Sequence, residues 1–299
     1  MKQRVLAIIG AVALIAIAVV LRATVMDGGS DGASNGKATK GKPVVACAPD
    51  LVAICTALAS DGAIASNPPT LDLADATAPP DDVDGWLTWD PAPAIANIDA
   101  PNTWGPSVPV GGASLAVGSR TGTTLTLPTG CRPATLTWTC VAAAAQRGTA
   151  VGVGTADSAE SLARLYPLAK TLVPTDGDFT TIDGSALKAI VGSPNDPQAD
   201  FPDQLVTLQT KLGALGLLVG PEGALSSASN VTVRRPSPAA QVTVVLASRT
   251  GHDLGDLHGA FTRAGAAAAL GDAGVTAGQG RLAPDSRAGE LYVVRKKVG

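Results

Sequence analysis

The side chains with the widest chemistry in this sequence are four cysteines in two close pairs, Cys47/Cys55 and Cys131/Cys140. In an exported chain an even number of cysteines suggests disulfides, and pairing within each local pair is the expectation. Zinc is the competing use, but neither spacing is C-x-x-C and the chain has only two histidines. Those histidines fall close together, in His252, Asp253, Asp256 and His258. His252 and Asp256 stand one helical turn apart, whereas His258 falls off that face. With Gly251, Gly255 and Gly259 interleaved, the segment reads as a solvated capping region, and no metal site is assigned. Residues 152–157, Gly-Val-Gly-Thr-Ala-Asp, echo a dinucleotide-binding loop, but Asp157 stands where the third glycine belongs. A tight strand-to-helix turn is the better reading. No G-x-S-x-G elbow occurs, and no spacing of Ser, His and Asp selects a triad, so the chain is read as a non-enzyme without a cofactor.

What must position these residues begins at the N-terminus. Residues 5–21 are apolar throughout, with Lys2 and Arg4 ahead of them. Such a run reaches about 26 Å as a helix, enough to cross a hydrocarbon core. The basic lead keeps the N-terminus cytoplasmic, so the remainder is exported. A cleaved signal peptide is the rival, but Leu21-Arg22-Ala23-Thr24 offers no clean small-x-small cleavage site, which favours an uncleaved anchor over residues 1–24. Residues 25–42 are glycine-rich and polar, a flexible tether. That tether separates Val44-Val45-Ala46-Cys47 from the apolar run, which argues against a lipidation box at Cys47. Residues 43–299 form the working domain. A hydrophobic content of 45% against 16% charged residues fits a folded body, and a net charge of -3 gives no electrostatic case for nucleic acid.

Along that domain, strand patterns alternate with helical ones, which implies an α/β fold. Strands are expected at 43–47, 70–73, 84–90, 108–117, 149–154, 214–219, 231–233 and 241–247. Helices are expected from Asp50 through Leu58, over 158–170, over 203–212, and as one alanine-rich helix over 254–270. Trp86 and Trp89 are expected on one face of their strand, as core, with an aromatic platform for a ligand as the alternative. Asp50 reads as a helix-capping residue, with ligand contact as the alternative. Asn230-Val231-Thr232 matches a glycosylation acceptor but is set aside for a bacterial chain.

The order of four stretches resembles the type 2 periplasmic solute-binding proteins, in a layout like their molybdate-binding branch. The stretches are Val45-Ala46-Cys47-Ala48-Pro49-Asp50-Leu51, residues 84–90, residues 150–157, and the alanine-rich 260–270 followed by Ala273-Gly274-Val275. The resemblance implies a two-lobed α/β domain behind the N-terminal transmembrane helix. Lobe I would take residues 43–109 and 221–299, and lobe II residues 110–220, with hinge closure around a small ligand. It further implies ligand contacts at Ala48, Asp50, Trp89, Thr155 and Ser158, the last two because they would cap the helix after the second-lobe strand. The partner would be the permease of an ABC-type importer, at the outer face of the cell membrane. Where an oxyanion-binding relative places Ser, this chain has Asp50, and Pro49 beside it removes an N–H donor. A neutral or cationic ligand is therefore expected, or none, in which case the domain would be an extracellular sensor or protein-interaction module.

Overall fold

The computed structural model describes residues 41–192 and 200–299. The predicted anchor lies outside them. Among the described residues no helix is long and apolar enough to cross a membrane.

Strand β1 (Val45–Cys47) is fully buried and turns through Pro49–Leu51 into helix α1 (Val52–Ser60). Ile54, Cys55 and Leu58 face the core, as their helical spacing requires. Strand β2 (Gly85–Trp89) lies parallel to β1 and is followed by helix α2 (Ala92–Asp99), which the sequence pattern did not reveal. Strand β3 (Trp104–Arg120) is a 17-residue ribbon, longer at both ends than expected. Helix α3 (Trp138–Gln146) starts where the Thr137 hydroxyl accepts the Cys140 N–H at 3.2 Å. Strand β4 (Val151–Gly152) leads to helix α4 (Ala159–Lys170), capped by Ser158 Oγ accepting the Ser161 N–H. Helices α5 (Gly184–Val191) and α6 (Phe201–Thr210) are capped the same way by Asp183 and Asp200. Strand β5 (Leu217–Pro221), helix α7 (Glu222–Ser227), strand β6 (Val231–Arg234) and strand β7 (Gln241–Arg249) follow. Helices α8 (Leu257–Ala260) and α9 (Ala264–Asp272), strand β8 (Thr276–Ala277) and helix α10 (Ser286–Val298) complete the order.

Two sheets share β3. The first runs β1-β2-β7-β3, with β8 added on β3 at Gly111 and Gly112. The second is built on residues 115–120 of β3, flanked by β5 and β6, with β4 parallel to β5. Because β6 pairs with β3 in the second sheet, the chain does not return to the first at residue 221 but after Arg234. One continuous apolar core runs under both sheets, built from residues such as Leu51, Trp86, Leu162 and Leu291. A smaller cluster of Phe201, Leu208, Leu218 and Leu225 sits under β5, α6 and α7. Helix α10 packs across α2, α4 and α5. Cys47–Cys55 ties β1 to α1, and Cys131–Cys140 ties the loop after β3 to α3, with Cα separations of 6.6 and 5.8 Å.

Three local expectations are corrected. Residues 70–73 make only a bridge from Thr70 to Cys47. Beyond it Asp72 Oδ1 captures the N–H groups of Ala74 and Asp75 and turns the chain away. The single helix expected over 254–270 is broken into α8 and α9, because Thr262 donates to the Gly259 carbonyl and Arg263 is extended. Trp86 and Trp89 do not share a face, since an offset of three reverses direction in a strand. Trp86 packs on Trp104 with ring centroids 5.3 Å apart, while Trp89 reaches Asp50.

Candidate functional site

Two parallel strand pairs, β1/β2 and β4/β5, aim their carboxyl ends into one crevice between the sheets. Such ends are where open α/β sheets leave free N–H groups and room for ligands. Each pair brings a side chain. After β1, the turn carries Asp50; the last residue of β2 is Trp89, whose Nε1 donates to Asp50 Oδ2 at 2.5 Å. After β4, the first turn of α4 carries Glu160, and the end of β5 brings Pro221. A cavity of about 220 Å³ lies between them, walled by Phe201, Leu205 and Ala224, with Asp272 at one side.

Behind Glu160 sits Arg164, one turn on and only 1% exposed. Its Nε is 3.4 Å from Glu160 Oε1, and its Nη1 donates to the Val219 carbonyl at 2.9 Å and to Gln204 Oε1 at 3.3 Å. The guanidinium also stands 5.2 Å from the centroid of the Phe201 ring. Nη2 of Arg164 and Nε2 of Gln204 are buried without hydrogen-bond partners. The charge of Arg164 acts on both carboxyls, Asp50 and Glu160.

Loss of surrounding water nevertheless raises Glu160 to a pKa of about 8; Arg164 opposes this, and Asp50 and Asp200 add to it. Desolvation likewise lifts Asp50 to about 6 against the Trp89 hydrogen bond and Arg164. The crevice can thus hold and release protons around neutrality.

No protein-family model matches the chain, and no curated protein matches it in sequence. Among solved structures, the apo ferric ion-binding protein A of Pasteurella haemolytica superposes with a TM-score of 0.50. The identity is 12%, over 86% of this chain and 94% of that one. The chain has the type 2 periplasmic-binding-protein fold. A Bordetella ferric binding protein gives a TM-score of 0.47 at 13% identity, over 86% of this chain and 96% of that one. Peb3 of Campylobacter jejuni gives 0.43 at 11%, over 78% of this chain and 97% of that one. This likeness of fold does not single out the molybdate-binding branch.

Within this type 2 fold the residues expected at the ligand divide. Asp50 and Trp89 line the crevice. Ala48 is buried beneath it, with its N–H on the Leu87 carbonyl at 2.9 Å, so it positions the Asp50 turn through its backbone. Ser158 is the cap of α4. Thr155 faces a separate pocket of about 330 Å³ with Lys188 and Gly192. Asp50 does not cap α1; its carboxylate is taken by Trp89. Glu160, Arg164, Phe201 and Gln204 went unnoticed in the sequence. Gly154, at φ +77°, makes the turn into α4 that the dinucleotide-like pattern also allows. His252 Nδ1 lies 2.8 Å from Asp84 Oδ1, outside the crevice, and Asp253 Oδ1 accepts the Gly255 N–H. Among the described residues no group of three His, Cys, Asp or Glu is arranged to hold a metal ion.

Proposed function

We propose that this chain is a membrane-anchored, extracytoplasmic solute-binding-like protein that captures a small neutral or cationic ligand between its two sheets for an ABC-type importer. The observation that carries the reading is the convergence of the β1, β2 and β5 ends and the first turn of α4 on one crevice holding Asp50 and Glu160. Asp50 in the crevice and Asp272 at its side disfavour oxyanions and suit an amine, with Phe201, Leu205 and Ala224 as its apolar walls. The two disulfides fit an oxidising compartment, and the apolar run at 5–21 supplies the anchor. A thermal-shift panel of amines, amino acids, sugars and oxyanions tests this. A true ligand at a hundredfold excess over its Kd stabilises by about 2.7 kcal/mol, and only amine or neutral solutes should do so.

A second reading is favoured by one observation: both crevice carboxyls already have partners within the chain, Asp50 in the Trp89 indole and Glu160 in Arg164. On that reading the domain is a ligand-free sensor or interaction module. No shift across the panel, together with capture of an extracellular protein partner, would select it.

A further inference from the structure

A second cavity among the described residues is larger than the crevice. It measures about 620 Å³ and lies on another face of α4, where the segment leading into β7 and the segment leading into α10 pass α3 and α4. Three cations line it: Lys170 from the end of α4, Arg281, and Arg287 from the first turn of α10. Among the described residues that line it there is no Asp or Glu. Its apolar surface comes from Trp138, Pro167, Pro238 and Leu282, the last 42% exposed at the rim.

One of these cations, Arg287, is held in place. Arg287 lies over the Tyr166 ring at 4.4 Å, and its Nε is buried without a hydrogen-bond partner. Tyr166 is itself fixed, stacked on Phe179 at 5.8 Å and donating its hydroxyl to Glu290 at 2.8 Å. The Trp138 indole donates to the Pro238 carbonyl at 2.8 Å, which joins two of the walls. Two neighbouring carboxylates have hydrogen-bond partners of their own: Glu290 takes the Tyr166 hydroxyl, and Asp90, in a recess beside Arg287 whose charge also acts on it, accepts the Ala283 N–H at 2.5 Å. A concave site of this size with apolar walls and convergent charges of one sign suits a small molecule, and the sign fixes its class.

We propose that this cavity binds a small molecule carrying an anionic group on an apolar body, the anion among Lys170, Arg281 and Arg287 and the body against Trp138, Pro167 and Leu282. Arginine's fork suits a carboxylate or a phosphate equally, so the head group is left to the experiment. The full-length chain is titrated with 1-naphthoate, 1-naphthyl phosphate and, as the charge-reversed control, 1-naphthylmethylammonium, following heat and melting temperature. At least one anion should bind saturably and raise the melting temperature, while the ammonium compound does neither. Whichever anion binds more tightly identifies the head group. Arg287→Gln should weaken that binding at least tenfold. Lys170→Gln with Arg281→Gln, which leaves the Tyr166 stack untouched, should do the same in a chain that melts normally. Failure of both anions to bind at millimolar concentration, equal binding of the ammonium control, or anion binding unchanged in the Lys170/Arg281 variant would each overturn the proposal.

Discussion

Replacing Glu160 with Gln separates two accounts of the buried pair on α4. If Glu160 were an ordinary ionised partner of Arg164, its loss would strand a buried guanidinium and destabilise the chain by about 3–5 kcal/mol at any neutral pH. The surroundings say otherwise. Glu160 is 4% exposed, and burial lifts its pKa from 4.5 to about 8, so near pH 6 the folded chain holds it protonated. A group raised in this way contributes its stability below its unfolded value and loses it as pH climbs through the folded one. Between pH 5 and pH 9 that loss amounts to about 4 kcal/mol, taking the full rise from 4.5 to about 8. Glutamine is a neutral near-isostere of the protonated acid. At pH 6 the variant should therefore lie within about 1 kcal/mol of the parent, and at pH 9 it should be the more stable of the two. Urea denaturation at pH 5, 6, 7, 8 and 9, with slopes compared to confirm equal exposed surface, measures this directly. Parallel pH profiles, or a variant several kcal/mol weaker at pH 6, would refute the reasoning.

Asp50→Asn removes a carboxyl whose pKa stands at about 6, so at pH 7 it should leave melting unchanged or raised while weakening any amine ligand at least tenfold, read by calorimetry. Removing the Cys131–Cys140 bridge as a double serine variant should cost about 2–3 kcal/mol in urea denaturation, through the freedom regained by the unfolded loop. Gly220→Ala would drive a methyl group into the Phe201 ring and push that ring from Arg164, at a cost of about 1–3 kcal/mol seen as a lower urea midpoint.

The sequence displays those parts of the fold whose pattern is local. Strand β1 running into α1, the strand at Trp86, and the Ser158-capped helix each show their periodicity and punctuation within a dozen residues. Helix α3 hid because Val141-Ala142-Ala143-Ala144-Ala145 presents small residues on every side and so has no face to read. The extended run at 70–73 failed because its fate depended on Asp72 turning back on its own neighbours, a competition that strand patterning ignores. Half of the crevice was visible through Asp50 and Trp89. The other half needed a signal that was present: Ala159, Leu162, Ala163, Leu165, Leu168 and Ala169 surround α4, so a helix apolar on nearly all sides must bury its Glu160 and Arg164 as well. The pairing of that helix with Phe201 and Gln204 joins positions some forty residues apart, and only the folded chain brings them together.

Strand β3 carries a thermodynamic corollary. At roughly 3.3 Å per residue its 17 residues form a spine of about 55 Å, zipped to β7 along one stretch and to β5 and β6 along the next. Melting either half strips partners from the same ribbon and exposes core shared with the other. Neither half should therefore have a melting point of its own, and calorimetry on this domain should record one peak whose van't Hoff and calorimetric enthalpies agree.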